Sequence, residues 1–142
     1  GGSSITLGDA AIQDVIELTA GSTGADAIVL GSGNTVGNLA TVDTIKNLGL
    51  GDTIDMAGNG ANVYEVTISS TSAFSAKVNT QLASLAGYSG LRAANDVILV
   101  SVDGDSSLYV VVDVGGNGVD STDGLVKLTG TIGSNLDSST FV

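Results

Sequence analysis

The chain has 142 residues, the length of one ordinary domain, and sets 15 acidic residues against 4 basic ones for a net charge of −11, with no histidine or cysteine. That balance excludes nucleic-acid binding, which needs cations to neutralise phosphates, and it opposes contact with an anionic membrane surface. The missing residue types exclude disulfides, zinc sites of the Cys/His kind and nucleophile–histidine catalysis.

Hydrophobic residues make up 42% of the chain but aromatic ones only 4%, so the core must be built from Val, Ile, Leu and Ala. The 21 glycines, with no proline, read as tight turns between short strands. No apolar run reaches the roughly 18 residues of a membrane helix, so no membrane insertion is predicted. Gly1-Gly2-Ser3-Ser4 lacks the basic segment and apolar run of a signal peptide, and such a start suggests a fragment of a longer protein.

In chain order, Ser3 to Leu7 reads as a strand ending in a turn at Gly8-Asp9, and Ala10 to Gln13 as a short helical turn. Strands are predicted over 14–18 and 27–30, on either side of a glycine turn at Gly21 to Gly24. Ile5-Thr6-Leu7-Gly8 and Ile28-Val29-Leu30-Gly31 echo one another, as the stacked coils of a solenoid do. Gly31 to Ala40 reads as a polar loop. Short strands over 41–45 and 52–56 follow, then a turn at Gly58-Asn59-Gly60 and an alternating strand over 63–69. Thr71 or Ser72 can cap a helix over about 72–86, whose apolar stripe is Phe74, Val78, Leu82 and Leu85 and whose stop is Gly87. Val97 to Val102 and Leu108 to Val114 are dense β-branched strands joined by a hairpin turn at Asp103-Gly104-Asp105. An acidic glycine loop over 113–120, a strand over 125–129 and Phe141-Val142 complete the chain.

The expected fold is therefore mainly β, in one unit over 1–142. Residues 1–57 are predicted to form short parallel coils of a β-roll or solenoid. Residues 58–142 are predicted to form a β-sandwich with one covering α-helix.

Gly21-Ser22-Thr23-Gly24-Ala25-Asp26-Ala27-Ile28-Val29 resembles the glycine- and aspartate-rich nonapeptide of RTX proteins, with Ser22 at the second glycine position. In that pattern glycines tighten the turn, an aspartate adds a carboxylate and the apolar residue enters the coil. Calcium favours six to eight oxygen ligands, so two neighbouring coils would have to complete a site. The candidate metal ligands are the Gly24 carbonyl and Asp26. Their partner coil carries Asp9 or Asp14 before them, or Asp43 after them. A plain β-turn with a surface aspartate is the simpler reading of the same residues.

The wider order strengthens the resemblance. Asp26-Ala27-Ile28 leads to Asp43-Thr44-Ile45 and to Asp52-Thr53-Ile54-Asp55 around a Gly-Leu-Gly turn. Leu108 to Asp113, Val126 to Gly130 and the terminal Asp137-Ser138-Ser139-Thr140-Phe141-Val142 resemble the tail of the same family. The chain from Gly21 onward, apart from the helical region, thus looks like the C-terminal flank of bacterial type I-secreted RTX proteins, and in its Thr/Ser/Val/Ala/Gly richness like the surface-layer branch. The resemblance implies Ca2+ as a cofactor and a secreted location at the bacterial cell surface. It implies a non-catalytic role in export and assembly, with the type I secretion apparatus and neighbouring subunits as partners. Asp137, Phe141 and Val142 would belong to an uncleaved secretion tail. The alternatives are the non-catalytic tail of a secreted RTX hydrolase and a calcium-dependent adhesin module.

Two other acidic stretches carry less. Asp113 to Asp120 partly matches an EF-type calcium loop but lacks its third-position carboxylate and distant glutamate, so it reads as a turn. The pairs Asp52/Asp55 and Asp103/Asp105 lie in turns without the sugar-binding aromatics a glycosidase needs, and the chain is not read as an enzyme.

Overall fold

A computed structural model describes residues 3–8, 12–21, 24–55, 62–130, 132 and 136–142. It is strand-rich. The strands are β1 (Ser4–Thr6), β2 (Val15–Glu17), β3 (Ala27–Val29), β4 (Thr44–Lys46), β5 (Thr53–Asp55), β6 (Val63–Ile68), β7 (Asp96–Val102), β8 (Leu108–Asp113) and β9 (Gly124–Thr129). A 3-10 helix spans Val36–Thr41, and the α-helices are α1 (Phe74–Ala83) and α2 (Tyr88–Leu91). The turns expected at Asp9, at Ser22-Thr23 and at Gly58 to Gly60 lie outside the described residues, as do Ala10 and Ala11 of the expected N-terminal helical turn.

The first five strands alternate between two sheets. A three-stranded sheet has the order β1-β3-β5, all parallel, and a six-stranded sheet has the order β2-β4-β9-β8-β7-β6. Successive strands of the N-terminal part therefore fall in alternate sheets, in matched register. Ile5 aligns with Ile28 and Ile28 with Ile54 in one sheet; Ile16 aligns with Ile45 and Ile45 with Leu128 in the other. The segments that follow β1 and β3 approach closely at Gly31, where an added Cβ would lie 2.6 Å from the Gly8 carbonyl oxygen and 2.8 Å from that of Leu7. A side chain has no room there.

Among the described residues, the strands from β6 onward do not form two facing sheets of their own. They extend the sheet that β2 and β4 begin, through parallel pairing of β4 with β9. The β7–β8 hairpin forms as predicted, with Ile98 opposite Val111 and the Asp105 amide donating to the Val102 carbonyl across the turn. The connection from β6 to β7 is a crossover through α1 and α2, which makes these two strands parallel, Val63 aligned with Val97.

The middle strands are buried on both faces. Ile98, Val100 and Val111 pack towards α1, with Phe74, Val78, Leu82, Tyr88 and Leu125. Val97, Leu99, Val110, Val112, Val126 and Leu128 pack towards the three-stranded sheet, with Ile28, Ile45, Ile54 and Phe141. The small sheet thus covers one face of the large one and α1 covers the other. Burying each of Phe74, Val78 and Leu82 contributes about 1.5–3 kcal/mol, which anchors α1. A charged residue at Val78, 0% exposed, would undo that packing.

The start of α1 corrects the predicted capping. Its N-cap is Ala73, in a left-handed conformation and with no side-chain cap. The Ser70 and Ser72 hydroxyls instead accept hydrogen bonds from Lys77 Nζ, at 2.6 and 3.0 Å. Gly87 does take the left-handed conformation, but the chain re-enters a helix there, α2, which the apolar stripe did not reveal.

Candidate functional site

The recurring local feature is an aspartate immediately before a strand. Asp14, Asp26, Asp43 and Asp52 precede β2, β3, β4 and β5, Asp123 precedes β9, and Asp96 opens β7. In each case an apolar residue follows two positions later and enters the core. That spacing is what a strand's two-residue period requires: the aspartate stays at the strand mouth while the apolar side chain points inward.

The carboxylates tie parallel strands together at that mouth. Ser3 N–H donates to Asp26 Oδ1 at 2.9 Å and Asp26 N–H to Asp52 Oδ1 at 2.9 Å. Asp14 N–H donates to Asp43 Oδ1 at 2.7 Å, and Asn62 N–H to Asp96 Oδ1 at 3.0 Å. In all four the donor is the register-equivalent residue of the neighbouring parallel strand, so the bonds form rungs between coils. The second oxygen closes the aspartate's own turn. Asp52 Oδ2 accepts from Gly49 N–H at 2.7 Å, Asp96 Oδ2 from Ala93 N–H at 2.7 Å, and Asp14 Oδ2 from Gly8 N–H at 2.9 Å. Asn34, with its amide oriented to suit both neighbours, donates to Asp43 Oδ2 at 2.6 Å and accepts from Gly31 N–H. Carboxylate-to-amide bonds of this kind belong to the stronger class of hydrogen bond.

This geometry redistributes the residues expected at a calcium site. Asp14 and Asp43 share one rung, in the six-stranded sheet. Asp26 shares its rungs with Ser3 and with Asp52, in the three-stranded sheet, and Gly24 lies half-buried in the turn before it. Asp9 lies outside the described residues. The rungs bring amide donors to carboxylate oxygens, and among the described residues no group of three or more acidic side chains is placed to hold a metal ion. Each rung oxygen already accepts an amide, so a calcium ion bound there would have to share those oxygens with the donors or displace them. Asp52 and Asp96 belong to the same ladder and were not singled out as site residues. The Asp-x-apolar spacing at positions 14, 26 and 96, the same as at 43 and 52, was the available signal.

The acidic loop between β8 and β9 is built on the same principle. Asp113 accepts from Asn117 N–H at 3.3 Å and from Gly118 N–H at 2.8 Å. Asp123 accepts from Val114 N–H at 3.0 Å and from Asp120 N–H at 2.8 Å. Burial, reinforced by the charges of Asp113 and Asp120, pushes the Asp123 carboxyl up to about 6, against the pull of its two amide bonds. Asp120, bonded by the Thr122 hydroxyl, and Asp105, bonded by the Ser107 amide, are held below the usual carboxylate range.

The C-terminal residues form part of the fold. Phe141 is 0% exposed and sits against the small sheet. Ile54 N–H donates to the Thr140 carbonyl at 2.8 Å, and Val142 N–H to the Ile54 carbonyl at 2.9 Å, which closes the outer edge of β5. Val142 itself is exposed. Asp137 accepts from the Ser139 hydroxyl and amide, which hold its carboxyl below the usual range.

A groove of about 380 Å³ runs between β6 and α1, lined by Thr67, Ser69, Lys77, Thr80, Gln81 and Asp103 among others. It offers a single carboxylate, where glycoside hydrolysis requires a pair. Among the described residues no helix is long and apolar enough to cross a membrane. Comparison with protein-family models, with curated proteins and with solved structures finds nothing that matches this chain.

Proposed function

We propose that the chain is a non-catalytic structural domain of an extracellular bacterial surface protein, exported by a type I apparatus and assembling beside neighbouring subunits. In this reading its N-terminal part is a short parallel β-roll whose coils continue into the larger sheet, and the two facing sheets form a sandwich. One observation carries it: consecutive short strands alternate between two parallel ladders, and the aspartates that lead β3, β4 and β5 each accept the amide leading the preceding strand of the same sheet. A roll of this kind is quasi-one-dimensional, with each coil resting on its neighbours, as suits a spacer or lattice element. The sequence has no histidine or cysteine, which leaves out nucleophile–histidine chemistry.

Calcium enters this proposal as a diffuse neutraliser of the net charge of −11, not as an ion coordinated within the ladder. The export role rests on the apolar end behind hydroxyl-rich Ser138 to Thr140. Fusing the chain to the C-terminus of a passenger is expected to support secretion through a matching type I apparatus, and deleting 136–142 to abolish it. Because that deletion also removes Phe141 from the core, a Val78→Ala fusion serves as the control: it is destabilised elsewhere and is expected to be exported. Export of the deleted fusion at the normal level would refute the secretory role.

A further inference from the structure

We propose that Asn117-Gly118, in the loop between β8 and β9, is a modification site for deamidation through a succinimide, kept unreacted in the folded chain by Asp113, Asn79 and Gly115. The site acts independently of export and assembly.

The sequence sets the chemistry. An asparagine carries an electrophilic carboxamide, and the backbone nitrogen of the next residue can attack its Cγ and close a five-membered ring. Glycine in that next place, having no Cβ, leaves the approach open and the backbone free to turn. Asn117 is exposed, so water reaches it. In the first step the Gly118 nitrogen loses its proton and bonds to Asn117 Cγ. The Cγ–Nδ2 bond breaks, and ammonia leaves with that proton. Water then adds to either ring carbonyl and opens the succinimide to aspartate or to isoaspartate, the latter with one extra atom in the backbone. Water is the only co-reactant.

Three features of the loop oppose the first step. Gly118 N–H donates to Asp113 Oδ2 at 2.8 Å, and Asn117 N–H to Oδ1 of the same carboxylate at 3.3 Å. Asp113 is 1% exposed. The proton that must leave Gly118 is therefore held by a buried carboxylate, whose charge also repels the amide anion that would remain. One residue further, Asn79 of α1 clamps Val119: its Oδ1 accepts from Val119 N–H and its Nδ2 donates to the Val119 carbonyl, each at 2.8 Å. The Gly118 peptide is thus fixed on both sides against the swing that ring closure requires. The third feature is a seat for the side chain. Asn117 folds back over Gly115, where an added Cβ would lie 2.9 Å from Asn117 Oδ1 and 3.3 Å from its Cγ. A bare Gly115 leaves the carboxamide room to rest against the loop.

Reaction here would act on the fold. A new carboxylate at 117 would join Asp113, Asp120 and Asp123 in one loop. The longer isoaspartate backbone would push Val119, 3% exposed, off its Asn79 clamp.

The test is peptide mapping by mass spectrometry after incubation at pH 8, reading conversion of Asn117 in the folded chain and in the same chain unfolded in urea. Folded Asn117 is expected to deamidate roughly tenfold or more slowly than unfolded, about the factor that one hydrogen bond to a charged group sets. Two variants remove the protection. Asp113→Ala frees the Gly118 amide. Gly115→Ala crowds only the Asn117 side chain, at a residue outside the left-handed region, and is expected to keep the parent's circular dichroism. Faster conversion in either folded variant supports the proposal, and Gly115→Ala alone decides if Asp113→Ala does not fold. Asp52→Ala, destabilised away from the loop, is the control and is expected to keep the parent's rate. Equal folded and unfolded rates in the parent would overturn the proposal. So would folded variants that react at the parent's rate, or an Asp52→Ala chain that speeds conversion as much as they do.

Discussion

Replacing Asp52 by alanine measures what a rung contributes. Asp52 is 6% exposed, and its two oxygens hold the Asp26 amide at 2.9 Å and the Gly49 amide at 2.7 Å. Truncation leaves two part-buried amides without that acceptor. An orphaned buried donor costs about 1–3 kcal/mol; with both amides only part-buried, the expected loss is about 2–4 kcal/mol. An entropy of unfolding of about 2.1 cal/mol/K per residue converts a 3 kcal/mol loss in this chain to a fall in melting temperature of about 10 °C. Asp52→Asn keeps one acceptor oxygen and is expected to lose about half as much. Asp103→Ala, at an exposed turn position between β7 and β8, is the control and should change stability by less than about 0.5 kcal/mol. Urea unfolding at pH 7, followed by circular dichroism, gives all three values. An Asp52→Ala loss below about 0.5 kcal/mol would refute the view that these carboxylates fasten the coils.

The other predictions draw on different parts of the structure. Asp123 has a folded-state pKa raised to about 6, so its proton is held more tightly folded than unfolded. The stability it contributes is therefore complete below about pH 4 and lost as pH rises through 6. Relative to Asp123→Asn, the wild type should gain on the order of 2 kcal/mol between pH 7 and pH 4, and parallel unfolding curves for the two proteins would contradict this. Phe141→Ala, at 0% exposure, should cost about 3–5 kcal/mol in urea unfolding; a loss under about 1 kcal/mol would place Phe141 outside the core. At Gly116, φ is +66° and an added Cβ would lie 2.6 Å from the Ala94 nitrogen, so Gly116→Ala should lower the melting temperature by several degrees, more than Gly90→Ala, where nothing lies within 4 Å of the added Cβ.

Most strands were legible because they are short β-branched runs between glycine turns, and their bounds agree within a few residues. Partner choice was not legible. The two-residue period of β6 and β7 sets which side chains point inward but does not say that the two strands pair in parallel across α1. Burial on both faces was written in Val97-Ile98-Leu99-Val100, a continuous apolar run of the kind found in sheets covered on both sides. The helix stripe gave α1, while the cap expected at Thr71 or Ser72 does not form because the helix begins later, at Phe74, behind a left-handed Ala73. The aspartates were visible as residue types, but grouping Asp26 with Asp14 or Asp43 followed nearness in sequence. Strands that alternate between two sheets instead join every second coil strand, which pairs Asp14 with Asp43 and Asp26 with Asp52.

The central claim is that carboxylate–amide rungs, without a coordinated cation, hold the coils together. Thermal unfolding in excess chelator, followed by far-UV circular dichroism and repeated with millimolar calcium, tests it most directly. The chelated protein is expected to show a full β signal and a cooperative transition, with calcium raising the melting temperature by only a few degrees and magnesium acting alike. A chelated chain that is unfolded, and that folds only when calcium is restored, would contradict the account and place the ion at Asp26.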